Sequence, residues 1–92
     1  MNKKRTRLEV MHDILEVVKG RNGKIKPTHI LYKSNLSYQM MEEYLKELMG
    51  KGFLLEIKNK ESRTYALTDK GFQFLQQYSM VKDFTSSFGL DV

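Results

Sequence analysis

Ser37, Tyr38 and Gln39 stand together at the start of an amphipathic segment, bringing a hydroxyl, a phenol and a primary amide. At the first turn of a helix, an amide can pair in bidentate fashion with adenine, and a serine hydroxyl bonds to either kind of base edge. Ser37 has a second use, as the cap that accepts from the helix's own amides, and Tyr38 is equally suited to packing. Cationic side chains flank this group. Lys33 lies just before it, and Lys60 and Arg63 bracket a polar turn further on. Each can meet a phosphate or stay a solvated surface charge. Thr28 and His29 can donate to a sugar-phosphate backbone. Lys3, Lys4, Arg5 and Arg7 read either as an arm that follows a minor groove or as a solubilising end. If six such cations neutralised phosphates, affinity would fall with salt at a log–log slope of about −5.

Other chemistries find little support. His12 and His29 are the two histidines and there is no cysteine, so neither a disulfide framework nor a thiolate zinc site is available. No Ser/His/Asp constellation, phosphate-cradling glycine loop or paired-carboxylate site stands out. An enzyme is not expected, and neither is a metal or cofactor. No apolar run approaches about 18 residues, so no membrane span is expected. No apolar segment follows the basic start as it would in a signal sequence. The whole chain is therefore expected to be the mature, cytoplasmic protein. Lysine and arginine number 16 against 11 acids, a net charge of +5, and the excess is uneven. Up to Met41, Lys3, Lys4, Arg5, Arg7, Lys19, Arg21, Lys24, Lys26 and Lys33 face only Glu9, Asp13 and Glu16. A basic half of this kind suits a polyanion.

The elements that must position these residues can be read along the chain. Its 92 residues make one domain with a modest core, and a dimer would help stabilise it. Residues 1–5 read as a basic flexible arm and 85–92 as a tail. Thr6 and Glu9 form a T-x-x-E capping box, after which Leu8, Met11, Ile14, Leu15 and Val18 recur at helical spacing to Lys19. Ile25 suits a very short strand. Pro27 opens a two-turn helix carrying Ile30 and Leu31 inward, ending near Ser34 and Asn35. Ser37 caps a third helix with a Met40/Met41, Tyr44/Leu45, Leu48/Met49 stripe, stopped by Gly52. Phe53, Leu55 and Ile57 then alternate with Leu54, Glu56 and Lys58 as the buried face of a strand, and Tyr65 and Leu67 line the inner face of its partner. Asn59-Lys60-Glu61-Ser62 forms the tip between them. Thr68 caps a last helix, expected to end near Phe84. Phe74, Tyr78, Val81 and Phe84 line one side of it, either folded on the first helix or paired with a second copy. The dimer is the favoured reading.

This order, helix, helix–turn–helix, hairpin, capped helix, is an α+β, mostly helical winged helix-turn-helix: a three-helix core, a β-hairpin wing and a C-terminal helix over residues 6–84. Pro27 to Lys33, Ser34-Asn35-Leu36-Ser37-Tyr38, and Tyr65-Ala66-Leu67-Thr68-Asp69-Lys70-Gly71 resemble the small archaeal winged-helix DNA-binding proteins. These are predicted transcriptional regulators, and some are dimeric chromatin-associated proteins. The resemblance implies a homodimer that binds double-stranded DNA. The chain departs from the family's chromatin proteins where Thr85-Ser86-Ser87-Phe88-Gly89 is poor helix material, which predicts a short dimer helix. Glu42 and Glu43 would repel phosphates if they faced DNA.

The function expected from these readings is sequence-selective binding of double-stranded DNA by a dimeric regulator. Ser37, Tyr38 and Gln39 would read bases, while Lys4, Arg5, Thr28, Lys33, Lys60 and Arg63 would hold the backbone. Two alternatives are a chromatin protein of low sequence specificity and a winged helix that binds other proteins, the latter suited by the two glutamates.

Overall fold

Helices in this chain begin where a side chain can accept from amides that would otherwise be orphaned. Residues 4–90 are described by the computed structural model; Lys3 of the expected basic arm lies outside them. Thr6 Oγ1 accepts from the Glu9 amide at 3.1 Å, and the Glu9 carboxylate accepts from the Thr6 amide at 2.9 Å. This reciprocal box opens α1, Arg7–Gly20. Such a cap is worth about 1 kcal/mol. Pro27 opens α2, Pro27–Ser34, where its missing N–H costs nothing. Ser37 opens α3, Tyr38–Gly50, its Oγ accepting from the Met40 amide at 3.2 Å. Thr68 opens α4, Asp69–Ser87, accepting from the Gly71 amide at 3.0 Å.

The two tight stops set the helix-turn-helix geometry. Asn35 takes the left-handed conformation, with φ 54°, that ends α2, and the Leu36 amide reaches back to the Leu31 carbonyl at 3.2 Å. Gly52, φ 82°, does the same after α3, with the Phe53 amide on the Leu48 carbonyl at 2.9 Å. Each reversal returns the chain to the core in a single step.

β1, Leu54–Lys58, and β2, Arg63–Leu67, pair antiparallel, with Leu54 opposite Leu67, Glu56 opposite Tyr65 and Lys58 opposite Arg63. The Asn59 amide donates to the Ser62 carbonyl at 2.8 Å and closes the polar tip. Ile25 bridges Tyr65 as a one-residue third strand, and Asn22 Oδ1 accepts from the Leu67 amide at 2.6 Å. The expected buried face of β1 is corrected. Leu54 is buried, whereas Leu55 is 46% and Ile57 36% exposed. Phe53 still belongs to the turn after α3, so the alternation starts one residue later, and pairing puts Leu54 and Glu56 on the face of Leu67 and Tyr65.

Val10, Ile14, Leu15 and Val18 of α1 meet Ile25, Ile30, Leu36, Met41, Leu45, Leu48, Leu54, Tyr65, Leu67 and Leu75 in one core. Met40, expected in the α3 stripe, is largely exposed; Met41 takes the core position. Among the described residues the architecture is four helices and a two-stranded antiparallel hairpin, a winged helix. α4 also departs from expectation by running to Ser87, past Phe84. The hydroxyls of Thr85 and Ser87 donate to the carbonyls of Lys82 and Phe84 at 3.0 and 2.7 Å, so these weak helix formers bond back to the preceding turn instead of competing with it.

Candidate nucleic-acid interface

The first turn of α3 presents its side chains outward because Met41, Leu45 and Leu48 commit the opposite face to the core. Tyr38 is 63% exposed and Gln39 is exposed, as are Glu43 and Lys46 at the positions that follow Gln39 on the same face. Ser37 serves as the cap, its oxygen occupied by the Met40 amide. The hydroxyl proton remains available as a donor at this end of the helix.

The wing stands beside α3. Lys58 and Lys60 are exposed at its distal end. Lys58, which directly precedes the tip in sequence, is paired with Arg63 across the hairpin by the register. Arg63 itself is engaged within the fold. One guanidinium nitrogen lies 2.6 Å from Glu42 Oε1 on α3, and the other lies 3.4 Å from Glu56 Oε2 on β1. The hydrogen bond to Glu42 raises the Arg63 pKa above its ordinary value, against the opposing effect of burial. Tyr65 donates its hydroxyl to the same Glu56 oxygen at 3.2 Å, and burial pushes this phenol up to about 12. Glu42 is therefore a paired carboxylate, its charge met by Arg63 within the fold.

Arg5, at the end of the expected arm, is engaged within the fold. Arg5 donates to Asp13 at 2.8 Å and to the Ser34 and Asn35 carbonyls at 2.7 and 3.3 Å, pinning the chain to the end of α2. Carbonyls at a helix C-terminus attract a cation there. Arg7 pairs with Glu47 of α3, 5.5 Å from the centre of the Tyr44 ring. The Glu47 hydrogen bond raises the Arg7 pKa. Lys4 remains exposed, as do Thr28 in the first turn of α2 and Lys33 in its last. His29 Nδ1 is 3.2 Å from an Arg21 guanidinium nitrogen. These two line a cleft with Lys33, Val17 and Glu16 between α1 and α2. Among the described residues no group of three or more His, Cys, Asp or Glu side chains is placed to hold a metal, and no helix is long and apolar enough to cross a membrane.

The four residues singled out on α4 fall into two pairs. Phe74 packs on Phe53 at 5.3 Å between ring centres, and Tyr78 stacks on His12 at 4.1 Å. Both belong to their own domain. Val81 and Phe84 are exposed, and the Phe84 ring lies 5.1 Å from that of Phe88, the residue that caps the end of α4. An apolar groove of about 260 Å³ runs between Leu8 at the start of α1 and Phe74, Tyr78 and Val81 of α4.

A family model described as winged helix-turn-helix matches residues 4–86. The chain belongs to the winged helix-turn-helix family. This winged-helix chain is 35% identical over 68 residues to an uncharacterized protein of Methanocaldococcus jannaschii, an overlap covering 74% of the chain and 64% of the relative, somewhat under two thirds of the relative's length. Among solved structures it is similar to Sso10a-2, a DNA-binding protein from Sulfolobus solfataricus, with TM-score 0.73 and 23% identity over 91% of this chain and 85% of the other. It is also similar to MepR, a transcription regulator of the Staphylococcus aureus multidrug efflux pump MepA, with TM-score 0.77 and 11% identity over 86% and 60% of the two chains. A MepR mutant bound to an oligodeoxyribonucleotide gives TM-score 0.75, 11% identity and the same coverage. At these identities the likeness is one of fold.

Proposed function

We propose that this protein binds double-stranded DNA as a homodimer and acts as a transcriptional regulator. The observation that carries the reading is the outward first turn of α3, with Tyr38 and Gln39 exposed next to Ser37 and flanked by the wing lysines. A recognition helix presents this end to base edges in the major groove. Gln39 and Ser37 are the base-reading groups, with Tyr38 beside them. Lys58 and Lys60 of the wing, Lys33 and Thr28 of α2, and Lys4 hold the backbone. The net charge of +5 favours association with a polyanion. Support comes from the fold shared with Sso10a-2, named as a DNA-binding protein, and with the MepR mutant solved on an oligodeoxyribonucleotide.

The dimer reading rests on Val81 and Phe84 of α4 and on Phe88 just past its end, large apolar groups that are all exposed. In a two-fold pairing, each chain's Phe84 and Phe88 would cover the partner's Leu8–Val81 groove. A chromatin role with low specificity is the second reading. It is favoured by how few groups that can read bases lie on α3, whose exposed face continues into Glu43 and Lys46.

Selection of bound sites from a random duplex library tests the proposal. A palindromic consensus supports a dimeric regulator. Uniform recovery with salt-sensitive affinity supports the chromatin role. Absence of binding at low salt defeats both.

A further inference from the structure

We propose that Arg63 is a positioning residue of the DNA-reading surface: it grips Glu42 of α3 and Glu56 of β1 at once, neutralises the carboxylate on the reading helix and sets the wing beside it. This deepens the proposed DNA binding and rests on it.

A cation next to the wing tip would ordinarily be counted as a phosphate contact. The geometry points elsewhere. Each terminal guanidinium nitrogen meets a carboxylate, at 2.6 Å on Glu42 and 3.4 Å on Glu56, and the two acceptors come from different elements. The planar fork of arginine suits two carboxylates in fixed directions; a lysine ammonium has no such fork. The arrangement is braced from behind. Tyr65, fully buried, donates to the Glu56 oxygen that Arg63 also meets, and Lys58 Nζ lies 3.9 Å from the other Glu56 oxygen. The three side chains of the clamp are each roughly one fifth to one third exposed, so water screens them less than it would a freely solvated pair.

The charges decide what the clamp does. Arg63 and Lys58 balance Glu42 and Glu56, so this part of the face is neutral. Without Arg63, two carboxylates confront the phosphates with one lysine between them. The wing also loses its side-chain tie to the middle of α3, and Lys58 and Lys60 no longer hold one setting relative to Gln39. The base of the hairpin stays anchored in the core through Leu54, Tyr65 and Leu67, so the loss is felt at the end near the tip, where Arg63 pairs with Lys58.

The test uses the full chain, with Arg63→Ala, Glu42→Gln and the double variant, measured for affinity to a duplex and for hydrogen exchange of the hairpin amides without DNA. The positioning role predicts that Arg63→Ala weakens binding about tenfold, the equivalent of ~1.4 kcal/mol. It also predicts that the double variant recovers to within about threefold of wild type, ~0.65 kcal/mol, because the bare carboxylate is gone. Hairpin amides should exchange faster in both single variants. Arg63→Lys, the milder change, should fall between wild type and Arg63→Ala in both measurements. Two results overturn the proposal. The first is a double variant as weak as Arg63→Ala while Glu42→Gln alone binds more tightly than wild type, which marks Arg63 as a phosphate contact. The second is hairpin exchange unchanged in both single variants. If the wild type binds no duplex, DNA binding has failed and the exchange data still decide whether Arg63 holds the wing.

Discussion

Gln39 shows how a residue's exposure sets the form its test must take. Its amide stands on the exposed face of α3, so Gln39→Ala leaves the core untouched. The substitution should relax preference at one base position by about 1–3 kcal/mol while general affinity changes little. Site selection with the variant checks this, and an unchanged consensus removes Gln39 from the reading set. Gly71 is the opposite case, a position with no room for a side chain. A Cβ there would lie 2.4 Å from the Phe53 carbonyl oxygen, where α4 passes the turn after α3. Gly71→Ala should therefore destabilise the fold by about 1–3 kcal/mol, read as a fall in Tm. Tyr65 carries a pH signature. Its folded-state pKa is raised from 10 to about 12 by burial, so the folded chain keeps a proton that the unfolded chain releases. The associated stability is present in full below pH 10 and is lost as pH rises toward 12. Thermal melts should show a shallower decline across that window in Tyr65→Phe than in wild type.

At the scale of elements, the wing is where pattern reading and structure part most clearly. Alternation in Phe53-Leu54-Leu55-Glu56-Ile57 fits two opposite face assignments, because apolar residues occupy both faces. Pairing with β2 resolves it, since Tyr65 needs an acceptor for its hydroxyl and Glu56 lies directly across from it. The same register pairs Lys58 with Arg63 and turns Arg63 toward α3. For a phosphate grip the expected pair is therefore Lys58 and Lys60. Replacing both with Ala should weaken binding to every duplex alike and flatten the salt dependence by about 0.9 in log–log slope for each lost contact. A slope equal to that of wild type would mean the wing lysines stay clear of the backbone. The helices were more legible. T-x-x-E, Pro27, Ser37 and Thr68 are local signals whose bonds form within a few residues, and each caps or opens its helix in the structure.

At the scale of the whole molecule, α4 gives the protein its elongated shape, with extents of 50 × 32 × 21 Å. Nineteen helical residues span about 28 Å. Its first half, through Gly71, Phe74, Leu75 and Tyr78, closes the core against the turn after α3 and against α1. Its second half leaves Val81 and Phe84 exposed, and the capping Phe88 beyond it is exposed as well. Exposed apolar groups at this spacing are a reason to expect a second copy. Phe84→Glu would place a charge at the centre of that contact and should convert a dimer to a monomer in sedimentation velocity, with melting unchanged at low concentration. A wild-type chain that sediments as a monomer would defeat the dimer reading.

The sequence by itself determined the order of elements, the caps, the tip of the hairpin and the family, because these depend on neighbours along the chain or on short motifs such as the one from Ser34 to Tyr38. Tertiary structure alone decided which charges are free. Arg5, Arg7 and Arg63 look alike in a list of cations. In the fold they meet Asp13, Glu47 and Glu42, which lie 8, 40 and 21 residues away. Such pairings are fixed only when helices and hairpin pack, since an ion pair depends on distances in space that no local pattern encodes.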